Sequence, residues 1–137
     1  MAFKAINLAK TKTIELESDP EYGTDAATKF TIGALDGRVL SLIKDKATGI
    51  PMSTFGGGGD GMATLRMNEM NFDIVVHGLK GVDNYDVAFT TTQKQLGGKT
   101  YLVADPDFVA TIPDEITGEI AEQILNINTL TEEERKN

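Results

Sequence analysis

The sequence predicts an α+β fold: a small, mostly antiparallel sheet of about five short strands packed with three or four helices. Two patterns predict it. Short stretches with apolar residues at every second position recur near the N-terminus and again after residue 85, as half-buried strands do. Longer stretches carry apolar residues three and four apart, as amphipathic helices do. A length of 137 residues suits a single domain spanning 1–137.

Residues 3–8 and 13–17 read as strands, each short and partly alternating. The polar stretch from Ser18 to Asp25, with Pro20 and Gly23, reads as a surface loop. Residues 28–33 alternate again, with Phe30 and Ile32 on one face of a third strand. Asp36 then fits a helix N-cap, its carboxylate accepting the free N–H groups of the first turn. Leu35, Val39, Leu40 and Ile43 follow at helical spacing, with Arg38, Lys44, Asp45 and Lys46 mostly on the other side. Gly49 and Pro51 should close this helix of about 36–47.

Residues 53–61 hold five glycines in nine positions and read as a flexible loop or hinge. Asn68 reads as the next N-cap, opening a helix buried on a broad face through Met70, Phe72, Ile74, Val75 and Val76, and stopped by Gly81. Residues 83–86 form a turn. Residues 86–92 and 100–104 flank Gly97-Gly98 and read as a hairpin with a long connection. Asp105-Pro106 is a cap followed by proline at the first helical position. Pro113 restarts the chain into an amphipathic helix of about 113–127, with Ile116, Ile120, Ile124 and Ile127 inward and Glu115, Glu119 and Glu122 outward. Thr131 to Glu134 fits a capping box that would open a last short helix.

Composition excludes several function classes. There is no Cys, so no disulfide, thiol nucleophile or Cys-ligated metal, and the single His excludes a two-histidine mechanism. Thirteen basic against 21 acidic residues, net −8, argue against nucleic-acid binding, which needs a net basic face. No apolar run approaches the length of a membrane span or a signal-peptide core, so no membrane association is expected. The acidity is uneven: residues 114–137 carry seven acids and two bases, so net −5 of the −8 lies in this acidic C-terminal helical segment. That segment is either a solvated face or a docking surface for a basic partner.

Candidate catalytic and metal motifs are weak. Gly97-Gly98-Lys99-Thr100 ends like a phosphate-binding loop, but position 93 is Gln where the pattern needs Gly, and a strand follows instead of a helix. The Gly56–Gly61 run lacks the spacing of calcium-binding glycine repeats. Asp105 and Asp107 are better explained as a helix cap and first-turn acid than as metal ligands. Asp83, Asn84 and Asp86 lack the 12-residue calcium-loop pattern. His77 sits among Val75, Val76 and Leu79, as a core or boundary histidine does. The expectation is a protein that is no enzyme and holds no cofactor or metal. Partner binding is the stronger expectation. Met52, Phe55 and Met62 flank the glycine run, and Ile127 and Leu130 bracket the junction before the capping box; clustered apolar residues at such positions mark partner sites.

Several stretches resemble a family of small structural or morphogenesis proteins encoded in the structural-gene clusters of tailed bacteriophages. The resemblance is carried by Ser18-Asp19-Pro20, the run Ala27 to Val39, and Ile43 to Thr48. It continues through His77 to Gly81, Asn84-Tyr85, Ile112-Pro113, Glu119 to Ala121 and Asn128 to Asn137, in order over well over half of the chain. One departure is plain: where the family pattern runs Gly-x-Lys-Gly-Trp-x-Asn-Phe, this chain has Val82 and Tyr85, and aromatic character survives only at the second. The resemblance implies a virion protein assembled in the host cytoplasm, such as a capsid-decorating or head–tail accessory subunit. Its partners would be the major capsid or tail protein, copies of itself, or both. A tail-assembly chaperone that binds a tail protein transiently is the alternative.

Overall fold

The computed structural model describes residues 8–48 and 59–136, with side chains described over 8–46 and 67–128. Five strands and four helices run in the order β1 (Thr11–Ile14), β2 (Lys29–Gly33), α1 (Gly37–Thr48), α2 (Gly59–Gly78), β3 (Leu79–Asp83), β4 (Thr91–Leu96), β5 (Lys99–Ala104), α3 (Pro106–Val109) and α4 (Asp114–Lys136). The fold class is α+β, with all strand pairs antiparallel. The strands divide into two sheets, a three-stranded one ordered β1-β2-β3 and the hairpin β4-β5.

The N-terminal strand expected over 3–8 lies outside the described residues except for Leu8. The second runs 11–14, earlier than the expected 13–17; Leu16 is still buried, but from the segment after the strand. Phe30 and Ile32 turn inward from β2 as their alternation requires. The loop after β1 is braced from inside. Asp19 accepts the backbone N–H groups of Glu21 and Thr28, each at 2.9 Å, and these bonds hold its carboxyl below the usual range. Asn84, at φ 60°, donates from Nδ2 to the carbonyls of Asp25 and Ala27 and ties this loop to the end of β3.

Asp36 caps α1 as its position suggests: its carboxylate accepts the Arg38 N–H at 2.8 Å. Helix α2 departs from expectation at both ends. It begins at Gly59, inside the stretch expected to be loop, and Asn68 is mid-helix instead of a cap. The reason is propensity. Met62, Ala63, Leu65, Arg66 and Met67 are strong helix formers, and they extend the helix ahead of its apolar stripe. At the other end α2 stops at Gly78 and β3 follows with no loop, so Gly81 lies within a strand. The arrest at Gly78 coincides with close packing on α4: a Cβ there would come within 2.6 Å of Ile124 Cδ1.

Residues 86–90 form no strand. Phe89 and Tyr85 instead pack edge-on against Phe108 of α3, at 5.2 and 5.7 Å between ring centroids, and β4 starts only at Thr91. The β4-β5 connection is short: Leu96 pairs with Lys99, leaving a two-residue turn. Gly97 and Gly98, at φ 60° and 81°, supply the two left-handed residues that such a turn demands. Asp105 caps α3 through the Asp107 N–H, with Pro106 in the first turn. Helix α4 continues through Thr131–Glu134, so the expected capping box is helix interior. No Gly or Pro interrupts 119–136, and Ile120, Ala121, Ile124 and Asn128 continue one buried stripe past the expected end.

The core is one cluster of buried side chains drawn from both sheets and all four helices. The second half of α2 lies at its centre, with Ile74, Val75 and Val76 fully covered, packed on by α4, α1, α3 and β5.

Candidate functional site

Of the five residues expected to bind a partner, Met52 and Phe55 lie outside the described residues. Met62 falls in the first turn of α2 and Leu130 within α4, both in segments whose side chains are not described. Ile127 is half-buried and packs against the core. The structure does not bring these residues into a described common surface. It assembles a different one.

That surface is built around His77, in the last turn of α2. Arg38, Leu42 and Lys46 recur every fourth residue along one face of α1, so they form a row. Opposite the row stands the hairpin. Lys94 pairs directly with Tyr101 and Leu96 with Lys99, which places all four side chains on one face of the two strands. Between row and hairpin lies a groove of about 340 Å³ lined by Arg38, Leu42, Lys46, Lys94 and Leu96, with His77 in its wall. A second hollow of about 170 Å³ lies beside it, lined by Val39, Lys80, Lys99, Tyr101 and Leu102, and shares His77. Five cations and two carboxylates line the two together, in a chain of net charge −8.

The carboxylates are only partly engaged. Asp73 stands 3.4 Å from Lys46 Nζ, and Asp36 stands 4.0 Å from Lys99 Nζ, which also lies 5.3 Å from the Tyr101 ring centroid. The Arg38 guanidinium and the Lys94 ammonium have no carboxylate within 4 Å among the described residues. The guanidinium of Arg38 lies across the hairpin turn, where a Cβ on Gly97 would come within 2.6 Å of Nη2. Glycine at 97 therefore serves both the turn and the seat of Arg38.

His77 is buried, at 6% exposure, and meets Tyr101 edge-on with centroids 6.1 Å apart. Among the described residues nothing hydrogen-bonds its ring nitrogens. Burial pushes its pKa down to about 4; the charges of Lys94 and Lys80 push the same way, and Asp73 opposes them. The ring is thus neutral at pH 7, with one N–H donor and one acceptor nitrogen. Lys80 donates to the His77 carbonyl at 3.0 Å, and burial lowers its own pKa as well. Such a surface can bind carboxylates: positive charge, neutral donors, and apolar Leu42 left 40% exposed at its edge.

The sequence reading of His77 as a core or boundary residue agrees with its position. The groove itself was not foreseen, because its walls are 38–46 and 94–101 and nothing local pairs those segments. The acids read as outward on α4 are likewise part of a shaped surface. Glu119 and Glu122 join Glu15, Glu17 and Tyr22 along a groove of about 530 Å³ between α4 and the β1 segment. Glu119 there accepts the Ser18 hydroxyl at 2.6 Å, and Glu15 accepts the Gly23 N–H at 3.0 Å.

Among the described residues no three His, Asp or Glu side chains converge as a metal site, and no helix is long and apolar enough to cross a membrane. No protein-family model, curated protein or solved structure matches this chain.

Proposed function

We propose that this chain is a non-enzymatic structural protein of a bacteriophage particle, a capsid-decorating or head–tail accessory subunit that acts through protein–protein contacts. The setting rests on the sequence resemblance described above. The mode of action is supported by one surface, the His77 groove, where exposed Leu42 stands among Arg38, Lys46 and Lys94, with Lys99 in the adjoining hollow. Apolar side chains rimmed by charge are the anatomy of a protein interface. Unneutralised Arg38 and Lys94 would steer an acidic partner surface and fix its register, and Leu42 and Leu96 would supply burial.

Mass spectrometry of purified particles tests the proposal. The expected result is the protein at a stoichiometric level, reduced several-fold when Arg38→Glu and Lys94→Glu are combined. Synthesis during infection with no protein in mature particles would overturn it and favour a tail-assembly chaperone.

A further inference from the structure

We infer that the His77 groove of one copy receives glutamate side chains from the rim of the acidic α4–β1 groove of a second copy, so that the chain associates with itself head to tail. This deepens the proposed structural role and rests on it.

Three observations carry the inference. The groove around His77 is cationic within an acidic protein, and two of its charges, Arg38 and Lys94, are unneutralised among the described residues. His77 is more than nine-tenths buried, lines the groove, and has no hydrogen-bond partner for its ring among those residues. A buried polar ring in that state is costly unless something completes it, and a carboxylate accepting its N–H would do so. The chain itself presents the complementary surface: Glu15, Glu17, Glu119 and Glu122, with Lys12 the one cation among the groove's lining residues.

The two surfaces cannot meet within one molecule. One is built on α1, the end of α2 and the β4-β5 hairpin; the other on β1, the segment after it and α4. They share no residue, and the helices that carry them, α1 and α4, both pack on α2. Complementary surfaces at separate places on one chain give heterologous contacts, which close into rings or extend into stacks. Acids on one copy would face Arg38 and Lys46 from α1, Lys94 from β4, and Lys99 beside Tyr101 from β5. They would be repelled by Asp73 and Asp36, which Lys46 and Lys99 already offset. Lys80, whose ammonium donates to the His77 carbonyl, lines the adjoining hollow.

Sedimentation at low and high salt tests this, with two paired variants. Arg38→Gln with Lys94→Gln removes charge from the cationic groove. Glu17→Gln with Glu122→Gln removes it from the acidic one and leaves the Glu15 and Glu119 hydrogen bonds in place. The wild type is expected to form oligomers at low salt that dissociate at high salt. Each paired variant is expected to associate at least tenfold more weakly, and an equimolar mixture of the two to form a 1:1 heterodimer through the surface that each retains. The lone histidine gives a direct reporter: its ring resonance should shift on association, and its titration midpoint should rise from about 4, because a carboxylate stabilises the charged ring. A wild type that stays monomeric at low salt and high concentration overturns the inference. So does an oligomer that neither paired variant weakens, or a mixture of the variants that forms no heterodimer. Presence of the protein in purified particles is a separate readout, so self-association can fail while the structural role stands.

Discussion

The side chain of Asn128 makes two hydrogen bonds to the backbone of Leu35: Oδ1 accepts the Leu35 N–H and Nδ2 donates to the Leu35 carbonyl, each at 3.0 Å. The residues are 93 apart in sequence and both are buried. The amide thus completes the backbone of the β2–α1 connection and clips α4 to it. Each Leu35 group would otherwise be buried without a partner, at about 1–3 kcal/mol apiece. Asn128→Ala is therefore expected to lower stability by about 2–4 kcal/mol, read as a lower urea midpoint at unchanged slope. Asn128→Asp should be at least as damaging at pH 7, since a carboxylate can accept from the N–H but faces the carbonyl with no proton to give. Any truncation meant to probe the acidic segment should keep Asn128, or lost stability will imitate lost binding.

At Gly78 the end of α2 packs tightly on Ile124 of α4. A methyl group at 78 would meet Ile124 Cδ1, Cγ2 and Cγ1 at 2.6, 2.8 and 3.0 Å. Ile124 is fully buried and has little room to give. Gly78→Ala is expected to destabilise by about 1–3 kcal/mol, the usual cost of overpacking, despite the better helix propensity of alanine. In an Ile124→Ala background all three clashing atoms are gone, so the same substitution should become neutral or favourable. A double-mutant cycle by chemical denaturation measures the coupling.

The protonation of His77 sets a pH dependence. In the unfolded chain the ring titrates near 6.5, and in the folded protein at about 4. Between these values the unfolded state binds the extra proton, so stability falls as pH is lowered. The contribution is whole above about pH 6.5 and is lost progressively toward pH 4, up to roughly 3 kcal/mol. His77→Phe keeps an aromatic ring against Tyr101 and should flatten that part of the profile. Urea unfolding of both proteins at pH 7 and pH 4.5 gives the comparison.

The hairpin turn separates two roles of glycine. At Gly97, φ 60° and the Arg38 guanidinium both oppose a side chain; at Gly98, φ 81°, a Cβ would meet nothing within 4 Å. Gly97→Ala should cost about 1–2 kcal/mol and displace Arg38 from the groove. Gly98→Asn should cost a few tenths, since Asn tolerates the left-handed conformation. Thermal melts measure the first effect, and salt-dependent sedimentation shows the loss of Arg38.

Local chemistry carried most of the elements. Asp36 and the Asp105-Pro106 pair start helices where their side chains and dihedrals favour it, and Phe30 and Ile32 alternate into the core. The misplaced boundaries share a cause. Asn68 and Thr131 have the chemistry of caps, but neighbours on both sides continue a helix, and a cap acts only where the helix ends. Phe89 has strand character, yet its ring is taken by Phe108, which draws 86–90 out of the sheet.

The sequence by itself determined the α+β class, the helix starts at Asp36 and Asp105, the second hairpin strand and the glycine turn before it, and the acidic outer face of the last helix. These follow from interactions within a few residues along the chain. Only the tertiary structure decided where charge and shape come together. It brought Arg38 and Lys94 to one groove with His77 buried in its wall, and Glu17 and Glu119 to another, because such surfaces arise from packing segments far apart in sequence, and no periodicity within either segment encodes its neighbour.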